Sequence, residues 1–262
     1  MHLNNVISEL SKELLSEVAD QVNFPAIIEV ISMTALNIGV EEFLKKNLSK
    51  REKTKLSHTV ILAWDKYRKN IELGLAPSCK FDSLTKFGRT EMEEFQEGVM
   101  RKSLEEHREN KLLVYANLLG NVAFKDCEPG IANTLLSIAE KLTYEQIKLL
   151  AFIGRISSIA DFNPISFESN SRNKPDSLTP KTKWIMMDYT VLRDLNLVGL
   201  GGDKNEGGSV SMSSLSSYLD VNLENLYLSF IGQRFFDVSD LIEIEIEELK
   251  EIQFFLSKES IQ

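Results

Sequence analysis

A glycine-rich stretch is the first place in this sequence where residue types and spacing could do chemistry. Residues 199–208 hold five glycines, and the stretch runs on to Val210. A phosphate-binding loop needs Gly-Lys-Ser/Thr between a strand and a helix, but Lys204 is followed by Asn205. The dinucleotide pattern GxGxxG fails as well, because Lys204 stands where the third glycine belongs. We therefore predict a hairpin tip whose glycines are exposed, permit positive φ angles and bind no ligand.

The histidines carry no metal signature. His2, His58 and His107 are the only three, and none belongs to an HExxH motif. A carboxylate-bridged di-iron site requires Glu-x-x-His on each of two helices, and the chain contains no such motif. The sequence therefore predicts no metal and no other cofactor.

The cysteines and serines carry no nucleophile signature either. Cys79 and Cys127 lie far apart without a CxxC motif, and no Gly-x-Ser-x-Gly elbow occurs. We interpret the chain as non-enzymatic. An enzyme whose site is assembled from dispersed polar residues, such as His107, Asn110 and Arg155, stays an alternative because sequence spacing does not reveal neighbours in space.

The longest predicted helix begins at Thr85 or Thr90 and runs to about Phe124, and its apolar periodicity fails in the middle. Ser103, His107 and Asn110 fall roughly where core residues are expected. Either this part of the helix faces solvent, or these three side chains make a buried polar contact between helices.

The fold class predicted from the pattern is mostly α, with an N-terminal helical region over residues 1–125. Amphipathic or apolar segments at 6–22, 25–36 and 41–74 precede the long helix. Capping boxes mark two helix starts, Thr90 with Glu93 and Thr143 with Gln146.

Residues 131–262 are predicted to form a winged-helix-like region with a small β-hairpin. Its three helices are expected at 131–141, 143–159 and 188–198, with a polar irregular insertion at 161–182. The glycine-rich stretch is then the wing. Its strands are expected at 197–198 and 210–212, a further strand-like segment at 226–231, and an acidic closing helix at 238–256.

Charge is distributed unevenly along the chain. The net charge is −9, which disfavours nucleic-acid binding by the whole protein. Residues 45–102 nevertheless hold 14 lysines and arginines against 8 aspartates and glutamates, whereas residues 200–262 hold 4 against 12. The basic side chains that could contact a nucleic acid or a protein partner are Lys45, Lys46, Lys50, Arg51, Lys53 and Lys55.

The predicted third helix of the winged-helix-like region is a poor DNA-recognition helix. Arg193 is opposed by Asp188 and Asp194, and phosphate neutralisation needs several lysines and arginines on the contacting face. Protein interaction or self-association is the favoured role, with a DNA-binding regulator that uses the basic 45–102 region as the alternative.

The start of the chain indicates a cytoplasmic protein without a membrane span. Met1 to Asn5 lack the basic start and apolar core of a signal peptide, and free cysteines suit a reducing compartment. The most apolar early stretch, residues 24–40, is interrupted by Glu29 and is too short for a comfortable bilayer span.

Two runs carry a resemblance. They are Arg108-Glu-Asn-Lys-Leu-Leu-Val-Tyr-Ala-Asn-Leu-Leu-Gly-Asn121 and Leu142-Thr-Tyr-Glu-Gln-Ile-Lys-Leu-Leu150. Over about residues 93–155 the chain is similar to a loose group of uncharacterised bacterial helical proteins, some of which look like accessory proteins of mobile elements or phage defence. The resemblance implies a bacterial, mostly helical, cytoplasmic protein, and it supplies no catalytic residues.

Overall fold

A computed structural model describes residues 48–158, 166–167, 179–200, 221–222 and 226–257. In these ranges the chain is mostly helical, as predicted, with eight α-helices and four short strands. It divides into two compact units, Met1–Lys141 and Leu142–Gln262. The helices predicted at 6–22 and 25–36 lie outside the described residues, and so do the glycines from Gly201 to Gly208.

The first unit contains four described helices. They are α1 (Lys50–Glu72), α2 (Glu91–Glu105), α3 (Asn110–Asn121) and α4 (Pro129–Lys141). Helix α1 begins in a capping box of Ser49 with Glu52, and the chain turns away from it at Gly74, whose φ is +79°. The capping box predicted at Thr90 and Glu93 is confirmed at the start of α2.

The prediction of one continuous helix over residues 90–124 is wrong. Helix α2 ends at Glu105, Glu106 has an extended backbone, and α3 begins at Asn110. The carboxylate of Glu106 turns forward and accepts hydrogen bonds from the backbone N–H groups of His107 (2.8 Å) and Arg108 (2.9 Å). This side chain replaces the carbonyls that a continuing helix would offer to those N–H groups.

Helices α1 and α3 approach closely in the core of the first unit. A Cβ atom at Gly120 would lie 2.7 Å from the carbonyl oxygen of Ala63 and 2.8 Å from Cβ of Lys66. One turn further, the buried amide of Asn70 donates to Oδ1 of Asn121 (2.8 Å) and to the carbonyl of Gly120 (3.2 Å). The contact therefore requires the absence of a side chain at position 120 and a satisfied polar pair beside it.

The second unit also contains four described helices. They are α5 (Tyr144–Arg155), α6 (Pro180–Asp194), α7 (Phe230–Val238) and α8 (Ile246–Leu256). The capping box of Thr143 with Gln146 is confirmed at the start of α5. Helix α5 packs against α6, α7 and α8, and its side chains Ile147, Leu150 and Phe152 are fully buried.

Two helix predictions in the second unit need correction. The helix predicted at 188–198 instead spans Pro180–Asp194, so it begins eight residues earlier, and its first three residues lie in the part predicted as an irregular loop. The acidic helix predicted at 238–256 is interrupted: α7 ends at Val238, Asp240 has a positive φ of 49°, and α8 begins only at Ile246. A short 3₁₀ turn, Leu241–Glu243, fills the gap.

The strands form two small antiparallel ladders. Strand β1 (Ser166–Phe167) pairs with β3 (Val221–Asn222), and β2 (Val198–Leu200) pairs with β4 (Leu226–Leu228). The strand predicted at 226–231 is thus confirmed over three residues and gives way to α7 at Phe230. Strand β2 pairs with β4, and the strand predicted at 210–212 lies outside the described residues.

Gly199 is a strand residue rather than part of a turn. It pairs with Tyr227, whose ring lies over it, and a Cβ atom at position 199 would come within 2.5 Å of Tyr227 Cζ. Its place in a strand, beneath the Tyr227 ring, corrects its assignment to the hairpin tip.

Candidate functional site

Helix α6 presents the most regular exposed apolar surface of the described second unit. The helix starts where Thr179 accepts a hydrogen bond from the backbone N–H of Thr182 (3.1 Å) and Pro180 occupies the first helical turn. It ends at Leu195, and Asn196 follows in the left-handed region with a φ of 57°. Sequence-encoded signals therefore define both ends of the helix.

The inner face of α6 is anchored by apolar burial. Ile185, Tyr189 and Leu192 are buried, and they recur at the i, i+4, i+7 spacing of a single helix face. This burial fixes which side of the helix faces outward.

Three polar contacts also fix the rotation of α6 about its own axis. The side-chain amide of Gln146, on α5, donates to Oδ1 of Asp188 at 2.9 Å. The hydroxyl of Thr182 donates to the carbonyl of Phe255 at 3.3 Å, and the amine of Lys181 lies 3.1 Å from the carboxylate of Glu251. Both latter partners lie on α8, so α6 is tied to two neighbouring helices.

The carboxyl of Asp188, at the contact between α5 and α6, has a raised pKa. Burial raises the pKa of its carboxyl, and the hydrogen bond donated by Gln146 opposes that rise only in part. The nearby carboxylate of Glu145 raises the pKa further.

The outer face of α6 carries three apolar side chains in a row. Trp184 is 63% exposed, Met187 58% and Val191 38%. They occupy positions i, i+3 and i+7, which lie on one side of a helix with about 3.6 residues per turn. We call Trp184, Met187 and Val191 the α6 stripe.

The α6 stripe is bounded by opposite charges. Lys183 precedes it and Asp194 follows it, and both are exposed. Lys183 forms no ion pair with any residue that the structure describes, and Asp194 has only a long contact of 3.9 Å to Arg193. With one exposed cation beside three apolar groups, this face lacks the positive charge that a phosphate backbone requires.

Sequence reasoning missed the α6 stripe because it ended the preceding loop at residue 182 and began the helix only at residue 188. The missing signal is local: Thr179-Pro180 is an N-cap followed by proline in the first turn, which is typical of a helix start. With that start recognised, Trp184, Met187 and Val191 fall on the face opposite Ile185 and Leu192.

A second exposed apolar feature lies in the first unit. Leu84 and Phe87 are exposed in the turn before α2, where Gly88 has a φ of +78°. The turn is held by hydrogen bonds from the Thr85 N–H to the carbonyl of Arg89 (2.7 Å) and from the Gly88 N–H to the carbonyl of Thr85 (3.0 Å). Only two side chains contribute, so this feature offers less surface than the α6 stripe.

The candidate basic residues at and before the start of α1 differ in their surroundings. Lys45 and Lys46 lie outside the described residues. Lys50, Arg51 and Lys53 are exposed on the first turn of α1.

Lys55 is the exception among the candidate basic residues that the structure describes on α1, because its amine points inward. It donates to the carbonyl oxygens of Leu104 (3.1 Å) and Glu106, at the end of α2. The charged amine of Lys55 therefore stabilises the contact between α1 and the end of α2.

The three side chains proposed for a buried polar contact do not come together. Ser103 is fully buried and donates to the carbonyl of Val99, one turn earlier in α2 (2.9 Å). His107 and Asn110 are exposed, which corrects their place in that contact. The break after α2 turns both of them toward solvent.

The buried polar contact at this place is formed instead by Glu106 and Lys111. Their charged groups are 2.7 Å apart, and both side chains are almost fully buried. Lys111 also donates to the carbonyl of Glu140 at the end of α4 (3.2 Å). One ion pair thereby joins the end of α2, the start of α3 and the end of α4.

The pKa values in this cluster follow from burial and pairing. Burial alone would raise the pKa of the Glu106 carboxyl, but Lys111 and the N–H groups of Arg108 and His107 hold that pKa below its usual value. Burial, reinforced by the charge of Glu106, raises the pKa of the Tyr115 hydroxyl. The pKa shifts of Glu106 and Tyr115 are thus accounted for by burial and by structural contacts.

The first unit also contains a cavity of about 270 Å³ between Tyr67, Phe81 and Leu119. Its polar lining includes Cys79, Asp82 and Glu93, and no histidine lines it to act as a base for the thiol. In the described part of the chain, no cluster of three or more His, Cys, Asp or Glu side chains has an arrangement that could hold a metal ion.

The polar residues considered for an enzyme site, His107, Asn110 and Arg155, have separate structural surroundings. His107 and Asn110 are exposed residues of the first unit. Arg155 belongs to the second unit, where its guanidinium donates to the carbonyls of Ile244 (2.6 Å) and Ile242 (3.3 Å). Arg155 thus stabilises the turn before α8.

None of the helices in the described ranges has the length and apolar character needed to cross a bilayer. Comparison with known proteins identifies no relative. No protein-family model, no curated protein and no solved structure matches this chain. The candidate site is therefore defined by its own geometry, and the α6 stripe is its main feature.

Proposed function

We propose that this chain is a non-enzymatic protein-interaction protein and that the α6 stripe is its docking surface. The observation that carries the proposal is the exposure of Trp184, Met187 and Val191 on one face of a helix whose opposite face is anchored. Large apolar side chains presented in a row on a fixed element are typical of protein interfaces, in which tryptophan and methionine are enriched.

The fixed rotation of α6 supports this role. Burial of Ile185 and Leu192 and the Gln146–Asp188 hydrogen bond hold the helix in place before any partner arrives. A partner then meets a surface that is already ordered, so association costs less conformational entropy than ordering a loop would.

The charge of the same face supports a protein partner over DNA. Lys183 is the exposed lysine beside the α6 stripe, Lys181 is paired with Glu251 on α8, and Asp194 opposes Lys183 at the other end. A DNA-recognition helix would need more positive charge at this place.

We also propose that α5, α6 and the β2–β4 ladder form a winged-helix-like arrangement. The order of helix, helix and antiparallel hairpin supports it, and α6 then occupies the position of the recognition helix with an apolar outer face. A cytoplasmic role as an accessory component of phage defence is part of the proposal and rests on the resemblance of residues 93–155 alone.

In-cell photocrosslinking tests the proposed function. A photoreactive phenylalanine analogue replaces Trp184, and a matched chain carries the same analogue in place of the exposed Lys250 on α8. We expect discrete protein adducts from position 184, lost when Met187→Asp is added, and none of them from position 250. Adducts with nucleic acid, or a position-184 pattern that Met187→Asp leaves unchanged, would contradict the proposal.

A further inference from the structure

We infer that the partner of the α6 stripe is the α6 stripe of a second copy of this chain, packed antiparallel across a two-fold axis. The inference rests on the proposed function and adds the identity of the partner. The inference starts from the charges at the two ends of the stripe. When a second copy of the helix runs in the opposite direction, the lysine of each copy lies next to the aspartate of the other.

All five side chains involved lie on one side of α6. With about 100° of rotation per residue, the exposed positions of the helix fall within an arc of about 100°. They are Lys183, Trp184, Met187, Val191 and Asp194, together with Pro180 at the start of the helix. The apolar groups occupy the middle of this surface and the charges its two ends, about 16 Å apart along the axis at about 1.5 Å per residue.

Reversal of a second helix brings complementary groups together. Lys183 and Asp194 share a midpoint between positions 188 and 189, and Trp184 and Val191 share one between 187 and 188. A two-fold axis near position 188, next to Met187, therefore brings Lys183 of each copy close to Asp194 of the other, and Trp184 close to Val191. This is the isologous contact expected of a homodimer, in which one patch complements itself.

The parallel arrangement is disfavoured by the same charges. It would set Lys183 against Lys183 and Asp194 against Asp194, and like charges opposite each other destabilise a contact. Antiparallel helices also align their dipoles favourably. The charge pattern thus selects both the partner and its direction.

The expected dimer is weak. One helix face per copy offers less area than a standard interface, which buries about 1,600 Å² in total, so dissociation on the order of micromolar is expected. The overall charge of −9 adds repulsion between copies, which salt screens.

Charge reversal with purified full-length chains tests the antiparallel pair. Lys183→Glu places a carboxylate against Asp194, and Asp194→Lys places an amine against Lys183, so each variant alone should be monomeric by sedimentation equilibrium. Mixing the two variants restores both ion pairs, and we expect a heterodimer whose affinity lies within about threefold of the unsubstituted dimer. Lys250→Glu, at an exposed site on α8, should leave the dimer unchanged.

Three results would overturn the inference. They are a monomer in the unsubstituted chain at hundreds of micromolar, a dimer that Met187→Asp leaves intact, and a mixture of the two charge variants that stays monomeric. Circular dichroism of each variant establishes that α6 is folded, since the substituted side chains are exposed. If the purified chain is monomeric while position 184 still forms adducts of another mass in cells, self-pairing fails and the proposed function stands.

Discussion

The side-chain amide of Gln146 bonds in two directions, and one of its partners is Asp188. Its Oε1 accepts a hydrogen bond from the backbone N–H of Thr143 (2.9 Å), which caps α5, and its Nε2 donates to Asp188 Oδ1 (2.9 Å) on α6. A helix-start signal in the sequence therefore also orients the helix that carries the α6 stripe.

Gln146→Glu separates the two roles of this residue. Glutamate still serves the capping box, but it loses the donor to Asp188 and sets a second carboxylate beside it. We expect the free energy of unfolding at pH 7 to fall by about 1–2 kcal/mol. Urea denaturation followed by circular dichroism measures it.

The pH dependence of that loss identifies its cause. Because the pKa of Asp188 is raised on folding, the native state binds its proton more tightly, and this contribution to stability is lost as pH rises through the folded pKa. In Gln146→Glu a second carboxylate raises the pKa of Asp188 further. The difference in the free energy of unfolding between this variant and the unsubstituted chain should therefore narrow as pH falls from 7 toward 5. A difference that stays constant with pH would indicate a loss of packing instead. Asp188→Asn is the matched control, since its stability difference should not grow with pH.

Glu106→Gln tests the buried ion pair of the first unit. The amide keeps an acceptor for the N–H groups of His107 and Arg108 but leaves the buried amine of Lys111 without a counter-charge. We expect a loss of about 3 kcal/mol at pH 7, as for a buried pair deprived of one partner. Glu105→Gln, at the exposed neighbouring position, should change stability little.

The ion pair of Glu106 and Lys111 should contribute to the free energy of unfolding at neutral pH and lose that contribution in acid. The pKa of Glu106 is lowered on folding, so its contribution is present above the unfolded pKa of about 4.3 and is lost as pH falls through the folded value. The stability gap between the unsubstituted chain and Glu106→Gln should therefore close below about pH 4. An undiminished gap at pH 3 would show that the charge of Glu106 is not what stabilises the junction.

Gly120→Ala and Gly130→Ala form a matched pair of helix substitutions. A methyl group at position 120 meets the backbone of Ala63, and we expect a loss of about 2 kcal/mol. At position 130 nothing lies within 4 Å of the added carbon, and alanine should stabilise α4 by about 0.5 kcal/mol. Thermal denaturation of both variants measures the opposite signs, and equal effects at the two positions would argue against close packing of α1 and α3.

Local signals in the sequence predicted two helix starts and one helix end correctly. Capping boxes at Thr90 and Thr143 and the stop at Gly74 confirm that helix ends are encoded by a few neighbouring residues. The break after Glu105 could not be predicted in this way. It depends on Lys55 and Lys111, which reach the junction from α1 and α3.

Strand pairing and the candidate site depended on distant contacts. Val198–Leu200 pairs with Leu226–Leu228, and no local pattern in the sequence predicts a partner so far along the chain. The α6 stripe was hidden because Thr179-Pro180 was assigned to a loop, although the spacing of Trp184, Met187 and Val191 was present in the sequence.

The most direct test of the docking surface is hydroxyl-radical footprinting of Trp184 and Met187 in intact cells and in the purified chain at high dilution. Tyr227, exposed on β4, serves as the internal reference because it lies outside the α6 stripe. If the α6 stripe binds protein, Trp184 and Met187 are protected in cells and reactive in the dilute chain, while Tyr227 reacts equally in both. Equal reactivity of Trp184 and Met187 in the two conditions would contradict the central claim that this face is covered by a partner.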